Sequence, residues 1–403
     1  GSVIPVPYID VAALKSATES GTTNEFFSYL SILTGGGLEY GAIFAMSVTP
    51  YINSSIIVQL LCVAIPYLER LSKEGEEGQK RLDQITRYTT VILALIQGTA
   101  YFFYLKNSNY LSVSGGAVIF AAFVIILAFT AGSALVMWLG EQINDRGIGN
   151  GISLLIFGGI VARIPSGVRS ISTLYGDGGI SLVTIILFVI AAVLVTAGVV
   201  LIQEGQRRIP VQYAKRVVGR KMYGGQSTHI PIKVNQAGVI PIIFALSLLQ
   251  FPLTITYFLS QDNGFSVWVM KWLSPSGNPG VWIYGVLNVI LIIFFTYFYT
   301  GITFNPNEVA NNMKANGGFI PGIRPGKATE DYLNKVMSRV TIVGAIFLAL
   351  IATLPTIISV MVPALKGIHF GGTSLLIAVG VALDTVRQLE NQMLMRNYQG
   401  FLK

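Results

Sequence analysis

Residues that could perform acid–base, nucleophilic or metal chemistry are few in this sequence and form no known catalytic pattern. The single cysteine, Cys62, lies inside an apolar stretch, and the only two histidines, His229 and His369, lie in separate segments. A disulfide needs two cysteines, and a metal site needs several ligands that the fold can bring together. The three glycines at 35–37 are not followed by lysine, unlike those of a phosphate-binding loop. The sequence therefore favours neither an enzyme nor a metal or cofactor site.

Polar side chains without charge do occur in the apolar stretches, and Asn53, Ser54, Ser55 and Gln59 lie close together in one of them. Such residues either join helices by hydrogen bonds or line a path through the membrane, and the sequence leaves both roles open. Charged residues inside membrane spans mark ion and proton pathways, and these stretches are nearly free of them. This composition argues against a proton-coupled transporter.

The composition predicts a membrane protein. Of the 403 residues, 52% are hydrophobic and 11% are charged, whereas a soluble domain has about 25% charged residues. Nine apolar stretches lie at 41–68, 88–105, 117–139, 151–162, 180–203, 237–258, 281–304, 340–362 and 371–383. Their apolar character is continuous rather than alternating, which predicts helices and not barrel strands. Eight are long enough to span the bilayer, and the fourth is expected to be short because Arg163 and Pro165 interrupt it.

The distribution of lysine and arginine predicts the orientation. If alternate connections share one side of the membrane, that side has 21 of these residues and the other has 6. The positive side is normally cytoplasmic. We therefore expect the segments 69–87, 204–236 and 305–339 and the C-terminus to be cytoplasmic. An odd number of spans then puts Gly1 outside, and we expect a further span to precede it; a native external N-terminus is the alternative.

Two segments suggest an internal repeat. Segment 48–52 reads Val-Thr-Pro-Tyr-Ile, and segment 239–243 reads Val-Ile-Pro-Ile-Ile. Each proline is expected to lie inside a span and to bend or break its helix. The first span enters from outside and the second from the cytoplasm, so the repeats would be inverted. Proline-interrupted spans in inverted halves predict a pathway at the interface between the halves.

The cytoplasmic segments contain a further candidate. Segment 317–326 is rich in glycine and proline and predicts a hairpin, with Arg324 near its tip. The arginine could act as a topology signal, or it could bind a cytoplasmic partner. Both interpretations remain open from the residues alone.

Five segments together identify a family resemblance. They read Gly-Glu-Gln-Ile-Asn-Asp-Arg-Gly-Ile-Gly-Asn-Gly at 140–151, Glu-Gly-Gln-Arg-Arg at 204–208, Gln-Ser-Thr-His-Ile-Pro at 226–231, Phe-Ile-Pro-Gly-Ile-Arg-Pro-Gly at 319–326 and Phe-Gly-Gly-Thr-Ser-Leu-Leu-Ile at 370–377. With these segments, the chain resembles the SecY family, the channel-forming subunits of the bacterial protein-export translocon, over essentially its whole length.

The resemblance implies an all-α polytopic membrane protein with two inverted five-helix halves around an hourglass pore, of which the first span is missing or truncated here. The first half would be 1–164, with spans two to five and an external plug segment at 27–38. An external connection at 165–179 would lead to the second half, 180–390, with spans six to ten and the cytoplasmic loops 204–236 and 305–339. Residues 391–403 would form a cytoplasmic tail.

The resemblance also implies roles for particular residues. The pore ring would be Val48, Ile52, Ile156, Ile243, Ser247 and Ile377. The plug would include Phe27, Tyr29, Leu30, Ile32, Leu33, Gly35 and Gly36. The lateral gate would include Pro50, Asn53, Ser54, Ser55, Gln59, Pro241 and Phe244. The partner-docking residues would be Arg220, Lys221 and Arg324.

The implied function is a protein-conducting channel. It would pass unfolded preproteins across the bacterial inner membrane and release hydrophobic segments laterally into the lipid. The driving force would come from the SecA ATPase or the ribosome, the other partners would be SecE, SecG and signal sequences, and no cofactor or small-molecule substrate is implied. The alternatives are a secondary transporter built from inverted repeats and a membrane scaffold without a pathway.

Overall fold

The structure is a computed structural model that describes residues 2–19, 36–38, 40–113, 115–176, 181–213, 216–218, 221–223, 227–256, 259, 263–274, 279–361 and 372–400. It is mostly helical. The helices are α1 Val11–Glu19, α2 Thr49–Ala64, α3 Pro66–Lys73, α4 Glu76–Asn107, α5 Ala117–Arg146, α6 Gly151–Ala162, α7 Ile164–Gly176, α8 Leu182–Glu204, α9 Ile240–Thr256, α10 Gly264–Trp272, α11 Gly280–Thr303, α12 Pro306–Ala315, α13 Lys327–Met361 and α14 Gly372–Gly400. The strands are β1 Gln206–Tyr213, β2 Arg216–Val218, β3 Lys221–Tyr223, β4 Ser227–Lys233 and β5 Gly318–Phe319.

Six helical segments of the described chain are long and apolar enough to cross a membrane, or seven if the bent pair α2 and α3 is one span. Helix α9, with 17 residues, is a shorter apolar helix. The predicted short fourth stretch runs on past Arg163 and Pro165, because α6 and α7 together form a candidate span of 23 residues, Gly151–Thr173. The predicted short length is therefore wrong, although Arg163 does separate α6 from α7; because it keeps helical dihedral angles, the helical path continues.

The first predicted span, 41–68, is not one helix. Residues 41–48 form turns, and α2 begins only at Thr49. The chain bends by 103° between α2 and α3. Ile65, at the bend, is extended with φ −108° and ψ 114°. Proline disfavours helical dihedral angles in the residue before it, and Pro66 therefore explains the break.

The prolines of the internal repeat do not bend their helices. Pro50 is in the first turn of α2, and Pro241 is the second residue of α9. The first-turn N–H groups of a helix have no intrahelical acceptor, so proline costs nothing there and its fixed φ favours the helix start. The prediction that these two prolines interrupt spans is wrong, and they begin helices instead. The proline inside α9 is Pro252.

The predicted cytoplasmic segments contain a small β-sheet, which an all-α fold does not include. Strand β1 pairs antiparallel with β4, from Gln206 opposite Lys233 to Gln212 opposite Ser227. On its other side β1 pairs with β5, and β2 and β3 form a separate hairpin. Part of the predicted hairpin at 317–326 is thus strand β5, followed by turns. A shared core joins both segments: Ile209, Val211, Ile232, Met313, Ile320 and Leu333 are buried together.

Segment 140–151 contains the end of α5, the tight connection at 147–150 and the first residue of α6. The Asn150 side chain accepts a hydrogen bond from Ser153 N and caps α6, and Asn144 Oδ1 accepts from Gly151 N at 2.7 Å. Gly149 N donates to Gln388 Oε1 of α14 at 2.7 Å. These bonds satisfy amides at a helix start that have no intrahelical acceptor. They also attach the α5–α6 turn to the last helix.

Candidate functional site

The two repeat segments begin α2 and α9 in the same way. Val48 is the N-cap residue of α2, and Ile52 N donates to Val48 O at 3.0 Å. In the second segment Ile243 N donates to Val239 O at 3.3 Å. Residues four apart lie on one helix face. Each segment therefore presents a valine and an isoleucine on one side of its helix start.

These four side chains meet in one apolar cluster. Val48, Val136, Ile152, Ile156, Ile160, Ile377 and Val381 are buried together, and Ile52, Val239 and Ile243 are among the half-buried residues packed against them. We call this set the central apolar cluster; it includes residues of α2, α5, α6, α9 and α14. It brings together five of the six predicted ring positions: Val48, Ile52, Ile156, Ile243 and Ile377.

Sequence reasoning missed part of this cluster. Ile152, Ile156 and Ile160 repeat every four residues along α6, a spacing that could have indicated one buried helix face. Val239 occupies the place in the second repeat segment that Val48 has in the first. That correspondence was visible in the sequence and would have identified Val239 as a candidate.

Ser247, the remaining predicted ring position, lines a cavity between α2, α4, α9 and α11. The cavity has a volume of about 390 Å³ and a mostly apolar lining. We call it the seam cavity. Its polar lining residues are Thr49, Asn53, Gln97, Ser247, Gln250 and Thr254. Buried Asn53 Oδ1 has no hydrogen-bond partner among the described residues, which leaves a destabilising polar atom beside an open space.

The predicted gate residues divide between the seam cavity and other surroundings. Asn53 and Phe244 line the cavity, and Phe244 makes an edge-on contact with Phe295 at 5.5 Å between ring centroids. Buried Ser54 instead donates to Thr86 O of α4 at 2.8 Å. Gln59 Nε2 donates to Ser55 Oγ one turn away. The expectation that Ser54 faces the seam is wrong, because five residues beyond Thr49 it lies on the opposite side of α2.

Six of the seven predicted plug residues, Phe27, Tyr29, Leu30, Ile32, Leu33 and Gly35, lie outside the described residues. Gly36 is described and buried, with φ +87°. A Cβ atom there would lie 3.1 Å from Arg163 Nη2. Positive φ and this close approach both favour glycine at this position. Leu38 is buried in a second hydrophobic cluster, with Tyr101, Ile125 and Phe129, and its carbonyl oxygen accepts a hydrogen bond from Tyr101 OH at 3.1 Å.

Among the docking residues, Arg324 is exposed on the turns between β5 and α13. Thr329 Oγ1 donates to the Arg324 carbonyl oxygen at 2.9 Å and stabilises the turn. Lys221 begins β3, whose side chains are outside the described part, and Arg220 lies outside the described residues. The charged motif residue Glu204 pairs with Arg387 of α14 at 2.8 Å.

The described residues contain no group of three or more metal-ligating side chains. The candidate site instead consists of two adjacent features. The central apolar cluster closes the space between five helices, and the seam cavity lies between α2 and α9 beside it.

The comparison with protein families identifies this arrangement. Residues 42–386 match the SecY family model. The chain is 46% identical to the protein translocase subunit SecY of Mycobacterium bovis, over all of this chain and 93% of that protein. It is also 46% identical to the SecY subunit of Streptomyces galbus, with the same coverage.

Solved structures share the fold. One, described as the structure of a protein conducting channel, has a TM-score of 0.65 and 20% identity, and the match covers 91% of this chain and 84% of that one. Another, Sec61 in the canine ribosome-channel complex from the endoplasmic reticulum, has a TM-score of 0.60 and 18% identity, with the same coverage. The chain therefore belongs to the SecY family: it is a multi-pass membrane protein and a protein-conducting channel subunit of the translocase, not an enzyme.

Proposed function

We propose that the central apolar cluster is the constriction of the channel and that the chain passes unfolded preproteins through it. The observation that carries this proposal is that four helices, α2, α6, α9 and α14, bring Val48, Ile52, Ile156, Ile243 and Ile377 into one cluster. A narrow apolar neck excludes water and ions because wetting it is unfavourable. It also forms no strong bonds, so a translocating chain can displace its side chains.

Two inverted halves would surround this constriction, divided as 1–164 and 180–390 with a connection at 165–179 and a tail at 391–403. The matching helix starts of α2 and α9 support this division. The two helices have 16 and 17 residues, and each has proline at its second position. Each also sends a valine and an isoleucine into the same cluster. Such correspondence is expected of two copies of one ancestral unit that meet at the pathway.

The seam cavity supports a lateral exit between α2 and α9. A hydrophobic segment of a preprotein that leaves the pore for the lipid must separate two helices. The cavity shows that these helices are incompletely packed against each other, and unfilled space means that fewer dispersion contacts resist their separation. Asn53 and Phe244 would line this exit, together with Ser247 and Gln250.

The basic cytoplasmic unit of β1–β5 and α12 is the proposed docking surface for the SecA ATPase or the ribosome, with Arg220, Lys221 and Arg324 as contact residues. Arg324 is exposed on a turn that the Thr329 hydrogen bond stabilises, and this supports its role as a contact residue. The described relative Sec61 occurs in a ribosome-channel complex. We further propose SecE and SecG as companion subunits, a location in the bacterial inner membrane and a cytoplasmic C-terminus.

The proposed constriction is tested by ion conductance in planar bilayers without substrate. The double variant Ile52→Asn/Ile243→Asn puts two amides into the neck, where they offer hydrogen bonds to water. We expect a resting ion leak at least about tenfold above wild type, since about 1.4 kcal/mol changes the closed-to-open ratio tenfold. The control Ile290→Asn is on α11, with its side chain 55% exposed in the direction expected for lipid. A leak in the control and not in the double variant would refute the placement of the constriction.

A further inference from the structure

The short helix α10 lies at the end of α9 that is away from the β-strands. Helix α9 begins soon after β4, and α10 follows its other end. With nine residues α10 is too short to cross a bilayer. Its inner face has Ser266 and Val269 buried. Val269 belongs to the same buried cluster as Leu253 of α9, so α10 packs against the external end of that helix.

The outer face of α10 is also apolar, which is unusual for a helix in contact with water. Phe265, Val267 and Trp268 are 43%, 53% and 53% exposed. The single charged residue of the helix is Lys271, whose Nζ lies 5.7 Å from the centroid of the Trp272 ring. A surface helix of a water-soluble region has a polar outer face. Here both faces are apolar, which indicates an apolar environment on the outside as well.

The neighbouring membrane helix α11 is also exposed and apolar near its start. Trp282 and Val286 are 65% and 60% exposed there. Helix α11 is a candidate span, so its exposed apolar side faces lipid. A Cβ atom at Gly280 would lie 2.5 Å from Lys271 O, so the end of α10 is in close contact with the start of α11.

We propose that α10 lies in the external headgroup region of the bilayer, with Phe265, Val267 and Trp268 inserted among the lipids and the Lys271 ammonium at the lipid phosphates. Tryptophan is enriched at this depth because its ring is apolar and its N–H is polar. A lysine beside it can extend its charge to the phosphates. The outer leaflet thereby holds the external end of α9, the helix that lines the seam cavity. This inference rests on the membrane placement of α9 and α11 and not on the proposed constriction.

The depth of Trp268 can be measured by fluorescence. The full chain is placed in lipid nanodiscs as the variant Trp138→Phe/Trp272→Phe/Trp282→Phe, which leaves Trp268 as the only tryptophan and does not alter the outer face of α10. Lipids brominated near the headgroup end of the acyl chain should quench Trp268 about twofold more than lipids brominated near the chain end, since interfacial helices insert about 5–10 Å. Aqueous acrylamide should quench it weakly. The matched variant that retains only Trp138, on span α5, supplies the response of a tryptophan in a membrane helix.

Strong quenching by acrylamide with no quenching by either brominated lipid would show that α10 lies in water, and would overturn the proposal. The phosphate contact is tested by adding Lys271→Glu to the variant that retains only Trp268. In nanodiscs of phosphatidylglycerol the reversed charge should be repelled and should reduce the quenching by shallow bromine, whereas in phosphatidylcholine it should change the quenching much less. Unchanged quenching in phosphatidylglycerol would refute the contact between Lys271 and the phosphates.

Discussion

The central apolar cluster and the seam cavity lie next to each other but differ in packing. The cluster is a set of valine and isoleucine side chains, most of them buried. The cavity, of about 390 Å³, has amide and hydroxyl groups on its wall and a buried Asn53 oxygen without a partner. Dense apolar packing resists opening, whereas a void and an unsatisfied polar group do not. If the proposed roles hold, the barrier to ions and the place of opening are separate parts of the molecule.

The same two helices form both features. On α2, Val48 and Ile52 contact the cluster, while Thr49 and Asn53, each one residue further along the chain, line the cavity. On α9, Ile243 contacts the cluster and its neighbour Phe244 lines the cavity. Successive helix residues are separated by about 100° around the axis. A rotation or shift of either helix would therefore alter the barrier and the seam together.

The largest effect is expected from closing the seam covalently. In a Cys62→Ala background, Asn53→Cys with Ser247→Cys places two thiols on the wall of one cavity. A short bifunctional crosslinker should join them and abolish preprotein export, and a long flexible linker should restore part of it. The measurement is export into inverted membrane vesicles. The control Ser54→Cys with Ser247→Cys should not crosslink, because Ser54 faces α4. Full export by the protein with residues 53 and 247 crosslinked would show that preprotein segments do not pass through the seam.

A smaller effect is expected at Val239, which was not among the predicted ring positions. Val239 and Val48 have matching places in the two segments and both contact the cluster. The resting ion leaks of the variants Val239→Asn and Val48→Asn should therefore agree to within about threefold. A threefold ratio corresponds to a difference of about 0.6 kcal/mol in the closed-to-open equilibrium. Val193→Asn, on the candidate span α8 with Val193 62% exposed, is the matched control. If Val48→Asn conducts ions at rest and Val239→Asn does not, the two residues are not equivalent in the two halves.

The smallest effect should come from improving the packing of the seam. Asn53→Leu removes a buried oxygen without a partner and adds apolar contact beside the cavity. The closed state should gain about 1 kcal/mol, the lower end of the cost of an unsatisfied buried group. We expect export to slow a few-fold and the thermal unfolding midpoint in detergent to rise slightly. Faster export by Asn53→Leu would mean that Asn53 does not favour opening.

Much of the architecture followed from patterns in the chain. Continuous apolar runs predicted membrane helices, because the bilayer core has no partners for unpaired backbone groups. The residues at which the helices begin and end could not be predicted from these patterns. Pro50 was expected to bend a span but lies in the first turn of α2. Pro66 follows the break between α2 and α3, where the helix direction changes by 103°. Proline has opposite effects at a helix start and in a helix interior, so its position relative to the first turn had to be known.

The sequence by itself determined the membrane class, the orientation expected from lysine and arginine, and the family, because these depend on composition and on local motifs. Only the tertiary structure decided which side of each helix meets which neighbour. It assigned Ile52 to the cluster and Asn53 to the cavity, turned Ser54 toward Thr86, and joined the distant segments 204–236 and 305–339 through β1 and β5. In a helix that is apolar on nearly all sides, hydrophobicity does not distinguish a lipid face from a protein face, and packing against other helices has to decide.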